Sequence, residues 1–261
     1  MIVFGHMEMY LDRPGMILSL IHKFDMIAVC YFLFVSGMSM EYHCNQRKEY
    51  LKGFISGKVV TLLLCAYLLH LIEVILQYFL LDMEFYLDLR FWGELNWYVY
   101  EMTVLYLIFY ISHIIGKRKQ AAEGWTFLLT ILFCALMFFV YRYSDWGGKS
   151  KSYYISIFSF PFGVWCGGNI EKIGKRNLKE SVTVLTVALL LGGVSTLGVK
   201  TSADTVFGGI VLRNLTGILC MTELLFLCKM IRADEGGEIS VKRGECLCAR
   251  PFVLHDAKEI D

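Results

Sequence analysis

Residues 59–81 read VVTLLLCAYLLHLIEVILQYFLL, a stretch in which Glu73 is the only side chain with a formal charge at neutral pH. A transmembrane helix needs roughly 20 consecutive, mostly apolar residues, so this stretch predicts a helix that crosses a lipid bilayer. Similar stretches recur on both sides of it. The predicted spans are Met26–Tyr42, Val59–Leu81, Trp97–Ile115, Trp125–Tyr141, Tyr153–Ile170, Ser181–Val199 and Phe207–Ile231.

The composition agrees with a membrane protein. Apolar residues make up 56% of the 261 residues, and the mean hydropathy is +0.54, whereas apolar usage in soluble domains is close to half. We therefore predict an all-α, polytopic transmembrane helix bundle with seven complete helices, preceded by a partial helix at the N-terminus. Residues 1–231 are expected to form one membrane domain. Residues 232–261 change abruptly to a charged composition, which predicts an irregular or disordered tail or a shifted reading frame.

Basic residues indicate the orientation in the membrane. They cluster in the connections 47–58, 117–119 and 172–179, and they are sparser in the alternate connections. Cytoplasmic loops carry an excess of Lys and Arg, so these three connections and the N-terminus are predicted to be cytoplasmic in a multi-pass protein of the cell membrane. Because the basic residues lie in short clusters between apolar spans, no nucleic-acid partner is expected.

Four short motifs follow one another along the chain. They are Gly5-His6, the aromatic run Tyr31–Gly37 that ends in Ser36-Gly37, Leu95-Asn96-Trp97-Tyr98, and Phe160-Pro161-Phe162-Gly163. Together with the topology, they resemble the membrane acyltransferase-3 family. Family members have more transmembrane helices and an arginine ahead of the histidine, so the resemblance also suggests that this chain is truncated at both ends.

The resemblance implies that an acyl group passes from acyl-CoA to a hydroxyl of a sugar or polysaccharide outside the cytoplasm. His6 matches the catalytic histidine of the family. Acylation of a hydroxyl needs a base to take its proton, and a neutral imidazole near pH 7 suits that step. The alternative is a histidine at a helix end that only hydrogen-bonds a neighbour.

Polar side chains inside the spans are a second group of candidates. His70, Glu73 and Gln77 follow one another at a spacing that puts them on one stripe of a helix, and ionisable groups are costly within a bilayer. We predict that this stripe faces the bundle interior and, with Trp97 and Glu101, lines the path of the substrate. The alternative is a hydrogen-bonded network between helices.

Lys52 and Lys58 lie in a basic connection and are candidates for docking the phosphates of acyl-CoA, as point charges. The alternative is that they only fix the orientation of the protein in the membrane. No bound cofactor is expected, and acyl-CoA, with acetyl-CoA as the expected form, acts as co-substrate. A metal site is not expected, since Cys246-x-Cys248 lacks a second ligand pair.

The leading interpretation is a membrane O-acyltransferase whose partners are acyl-CoA, a carbohydrate acceptor and the lipid bilayer. One alternative is a protein that exports or transports polysaccharide, which would need no acyl-CoA and would keep working after His6→Ala. Another is a truncated acyltransferase without activity.

Overall fold

A computed structural model describes residues 25–47, 49–81, 97–116, 118–144, 152–175, 177–202 and 207–234. Within these ranges the regular structure is entirely helical. The helices are α1 (Asp25–Gln46), α2 (Thr61–Leu81), α3 (Trp97–Ile115), α4 (Lys119–Tyr143), α5 (Ser152–Ile155), α6 (Ser159–Gly168), α7 (Ile170–Gly174), α8 (Leu178–Ser202) and α9 (Arg213–Asp234). Short π-helical segments, Ile55–Val60 and Phe207–Leu212, lead into α2 and α9.

Among the described residues, six helices are long and apolar enough to cross a membrane, namely α1, α2, α3, α4, α8 and α9. Their outer faces carry large apolar side chains that are exposed, for example Leu69, Phe79, Leu190 and Leu197. Such an apolar surface is suited to lipid rather than to water. Helices can cross lipid because they satisfy their backbone hydrogen bonds internally. The expected all-α transmembrane bundle is confirmed.

The predicted span Tyr153–Ile170 differs from the expectation of one continuous helix. The structure divides it into α5, α6 and α7, with a turn between α5 and α6. Pro161 explains this break, because a proline inside a helix lacks the N–H and clashes with the carbonyl of the residue four positions earlier. In the first turn of α6 the same proline is tolerated, since its N–H would be unpaired there in any case.

Asn214 of α9 satisfies the backbone at this break. Its Oδ1 accepts a hydrogen bond from the backbone N–H of Phe158 (3.1 Å), and its Nδ2 donates to the carbonyl of Tyr154 (2.7 Å). Broken backbone at membrane depth is tolerated where it is buried in protein and finds such partners. A polar residue in the last predicted span therefore has a structural role that fixes the broken segment against α9.

Helices α1 and α6 pack with their backbones in close contact. A Cβ added to Gly37 would collide with the carbonyl oxygen of Phe160, and one added to Gly163 would collide with the carbonyl oxygen of Phe34. Small residues allow this close approach between helices in membranes. Two of the motifs that carry the family resemblance, the Ser-Gly end of the aromatic run and the glycine of the 160–163 segment, thus meet at one interface.

The substitution Gly163→Ala is expected to destabilise the protein by about 1–3 kcal/mol, the usual cost of overpacking, because the new methyl group meets backbone that cannot rotate away. The measurement is the melting temperature in detergent. The matched control is Gly193→Ala, whose added methyl group has no neighbour within 4 Å. Equal melting temperatures for the wild type and Gly163→Ala would show that α1 and α6 are farther apart than described.

The division into a membrane domain and a tail stays a prediction. Helix α9 continues to Asp234, slightly beyond the expected boundary. The remainder of the tail and the predicted partial helix at the N-terminus lie outside the described residues.

Candidate functional site

One end of the bundle brings together the connections that are rich in basic residues. Tyr42 near the end of α1, Lys119 at the start of α4 and Lys172 in α7 line one cavity. Lys229 near the end of α9 donates a hydrogen bond to the carbonyl of Ile173 (2.9 Å) at the same place. We call this region the basic end of the bundle.

A buried pair of ionisable groups lies close to the basic end. Nε2 of His113 is 2.9 Å from Oε2 of Glu41, and the two side chains are 10% and 1% exposed. Asn45 donates to Oε1 of Glu41 (3.0 Å), and Nδ1 of His113 is 2.9 Å from the carbonyl oxygen of Phe109. A carbonyl oxygen only accepts, so Nδ1 of His113 carries a hydrogen and donates it to Phe109, while Nε2 forms the second hydrogen bond of the ring, with Glu41.

Sequence reasoning missed this pair. Both residues lie within predicted spans, where an ionisable side chain is itself a signal. Their positions are 72 residues apart, and no periodicity connects residues on different helices. The pair joins α1 to α3 and therefore fixes the first and third described helices relative to each other.

The cavity at the basic end has a volume of about 450 Å³, within the usual range of ligand sites. Glu123 on α4 forms part of its wall and is 9% exposed, and Oε1 of this carboxyl has no hydrogen-bond partner among the described residues. Lys119 donates to the carbonyl oxygen of Gly168. The wall thus combines carboxylates, lysines and aromatic side chains.

The three residues of the predicted stripe on α2, His70, Glu73 and Gln77, contact one another. They do not all face the inside of the bundle. Nε2 of Gln77 donates to Oε1 of Glu73 (3.3 Å), and Nδ1 of His70 is 3.6 Å from Oε2 of Glu73. His70 is the more enclosed residue, with a side chain 16% exposed, whereas that of Glu73 is 47% exposed. The expectation that the whole stripe faces the interior is not met for Glu73.

The reason lies in how α2 packs on the rest of the described helices. Only 11% of its span is buried, the lowest share of the six candidate spans, and Val74 is its buried apolar contact. Glu73 and Gln77 line a shallow apolar groove on the outer side of α2. A role for the stripe in lining the substrate path stays a prediction.

Glu101 lies inside the bundle, near the start of α3. Its side chain is fully buried, and neither carboxyl oxygen has a hydrogen-bond partner among the described residues. The thiols of Cys30 on α1 and Cys134 on α4 lie within electrostatic range of this carboxyl. Trp97, one turn earlier on α3, packs against the apolar core. The predicted role of both residues in lining a channel is not tested by this arrangement.

The substitution Glu101→Met is expected to stabilise the protein by about 1–3 kcal/mol, because it removes a buried polar group without a partner and fills the same space. Glu101→Gln, which keeps a polar group there, is the control and should bring no such gain. Melting temperatures in detergent give the measurement. A clear loss of stability in Glu101→Met would show that the carboxyl has a structural partner.

Lys52 and Lys58, the predicted docking residues, lie apart from the cavity. Nζ of Lys52 is 4.0 Å from the carboxylate of Glu49, and these side chains are 80% and 81% exposed. Lys58 is also exposed, on the π-helical segment before α2. Docking of acyl-CoA by these two lysines stays a prediction. His6 lies outside the described residues.

Comparison with known proteins supports the resemblance found in the sequence. A family model described as an acyltransferase domain matches residues 1–237. No curated protein and no solved structure matches the chain. The matched range includes His6 and the two segments that meet between α1 and α6, Ser36-Gly37 and 160–163. This chain therefore belongs to the membrane acyltransferase-3 family.

Proposed function

We propose that this protein is a membrane O-acyltransferase that moves an acyl group, typically acetyl, from acyl-CoA to a hydroxyl of a sugar or polysaccharide outside the cytoplasm. The observation that carries the proposal is the family match over residues 1–237. The family supports membrane acyltransferase activity in general. The identities of the donor, of the acyl group and of the acceptor are the parts of this function that we propose.

In the proposed reaction, His6 takes the proton from the acceptor hydroxyl while the hydroxyl oxygen attacks the thioester carbon. The new C–O bond forms, the C–S bond breaks, and the proton taken by the base neutralises the leaving thiolate, so the products are an ester and free CoA. General-base catalysis of this kind requires the base to be within hydrogen-bond reach of the hydroxyl.

The proposed orientation places the basic end in the cytoplasm, because Lys and Arg are enriched in cytoplasmic loops. In a background without native cysteines, single cysteines at Asp88 and Ser150 should react with a membrane-impermeant thiol reagent added from outside. Single cysteines at Gln46 and Ala121, both exposed at the basic end, should not react. Outside labelling at Gln46 in intact cells would contradict this topology.

The proposed reaction is tested with membranes that hold the protein, labelled acyl-CoA and candidate glycan acceptors. We expect label in the acceptor as an ester that mild base releases, and we expect acetyl-CoA to serve better than longer acyl-CoA forms. Membranes without the protein are the control. Movement of polysaccharide across the membrane with no dependence on acyl-CoA would instead identify an export protein.

A further inference from the structure

The cavity at the basic end contains one carboxyl oxygen to which none of the described residues donates a hydrogen bond. Glu123 is 9% exposed, and its Oε1 is buried without a partner among the described residues. Polar atoms buried to this degree are nearly always hydrogen-bonded. Since this carboxyl belongs to the cavity wall, a ligand in the cavity with an N–H or O–H group would supply the missing donor.

Two lysines of the cavity add positive charge next to this carboxyl. Lys119 and Lys172 both line the cavity, both are exposed, and both act electrostatically on Glu123. The other charged or titratable groups that act on Glu123 are the buried pair Glu41 and His113. Glu171 also lines the cavity, so the two lysines face two carboxyl groups. Lysine ammonium groups bind phosphates as point charges and carboxylates accept hydrogen bonds, so the cavity suits a ligand that carries phosphate beside a hydrogen-bond donor.

Aromatic side chains complete the cavity wall. Tyr42 of α1 and Trp165 of α6 both line it, and the indole of Trp165 is 40% exposed. Asn45 and Gln120 add amide groups. Flat bases stack on exposed aromatic faces. A flat ring, a hydrogen-bond donor and phosphate groups are together the chemistry of a phosphorylated nucleotide.

We propose that this cavity binds the nucleotide end of the acyl-CoA donor, with Lys119 and Lys172 at its phosphates and Glu123 accepting a hydrogen bond from its base or ribose. The inference rests on the proposed function, because that function makes acyl-CoA the donor. The inference places the phosphates of the donor at lysines of α4 and α7. Lys52 and Lys58, for which the sequence predicted this docking role, lie outside the cavity, so their variant is the competing arm of the test.

The test is binding of labelled coenzyme A to the purified protein in phosphatidylcholine nanodiscs. Lys119→Ala combined with Lys172→Ala is expected to weaken binding by about tenfold or more, the effect of losing a charge-assisted hydrogen bond. Lys175→Ala combined with Lys179→Ala, which removes two exposed lysines outside the cavity, should leave the affinity unchanged. Lys52→Ala combined with Lys58→Ala tests the docking role that the sequence predicted for those two lysines. Because Lys119 also contacts the backbone at Gly168, the single substitution Lys172→Glu gives a second test that leaves this contact in place.

A ligand comparison locates the phosphate. Dephospho-CoA, which lacks the 3′-phosphate, should bind the wild type more weakly than coenzyme A does, and this difference should shrink in the Lys119→Ala, Lys172→Ala variant, because contacting groups are not additive. Glu123→Gln should also weaken binding of coenzyme A. Melting temperatures of all the variants show whether each one is folded.

Unchanged affinity for coenzyme A in the folded variants of Lys119 and Lys172 would overturn the inference. Loss of affinity only in the Lys52 and Lys58 variant would overturn it while leaving the proposed function intact. If labelled phosphatidylethanolamine binds in a way that depends on Lys119 and Lys172 while the binding of coenzyme A does not depend on them, the cavity binds a phospholipid headgroup instead, and the inference is overturned. If the wild type binds no coenzyme A at all, the proposed function itself fails.

Discussion

Replacing His6 with alanine is expected to lower the rate of acyl transfer by about 10²–10⁴-fold, the usual contribution of a general base. Expression and membrane insertion should be unchanged, because the substitution removes one polar ring and adds no charge to the membrane. The rate is measured as label transferred from acyl-CoA to the acceptor, in the longest form of the protein that its gene encodes.

The control for His6 is His43→Ala. His43 lies in the last turn of α1, where its ring stacks with that of Tyr50 (centroids 6.2 Å apart). Neither the proposed reaction nor the proposed donor site uses this residue. Its removal should leave the rate near that of the wild type. A fully active His6→Ala variant would exclude His6 as the base.

Replacing Glu41 with alanine is expected to destabilise the protein by about 3–5 kcal/mol, because it breaks a buried pair and leaves the partner without compensation. The pair joins α1 to α3 through the 2.9 Å contact with His113. The loss should appear as a large fall in the melting temperature in detergent. His113→Ala should have an effect of the same sign.

Two controls separate the pair from general effects. Glu49→Ala removes an exposed carboxylate 4.0 Å from Lys52, and exposed pairs contribute little, so the melting temperature should hardly change. The double variant Glu41→Met, His113→Met should recover much of the lost stability, since a packed apolar pair often replaces a buried ionic pair without loss. A Glu41→Ala variant as stable as the wild type would contradict the described contact.

The transmembrane helices were predictable from the sequence, because the thickness of the bilayer sets the length of each apolar stretch. The predicted span Trp97–Ile115 coincides with α3, and Val59–Leu81 nearly coincides with α2. The break in the span Tyr153–Ile170 was signalled only by Pro161. The position of that proline indicates where a helix cannot continue, but not that Asn214 would pair with the released backbone.

The inner and outer faces of the helices were not predictable. In a soluble protein, polar residues mark the outer face of a helix, but in a bilayer both faces are apolar. The cost of an ionisable group in a bilayer led to the prediction that the stripe with Glu73 faces the interior, and this prediction was wrong for Glu73, whose side chain is 47% exposed. The contact between Glu41 and His113 and the cavity beside Glu123 depend on which helices are neighbours, and only the structure provides that.

The central claim is that an acyl group passes from a cytoplasmic donor to an acceptor on the other side of the membrane. Sealed inside-out vesicles that hold the protein in the longest form its gene encodes, with the glycan acceptor trapped in the lumen and labelled acetyl-CoA added outside, test it directly. We expect the trapped acceptor to gain label as an ester and the His6→Ala vesicles to leave it unlabelled. Label that appears only when donor and acceptor share the same compartment, or an equal signal from vesicles without the protein, would contradict the account.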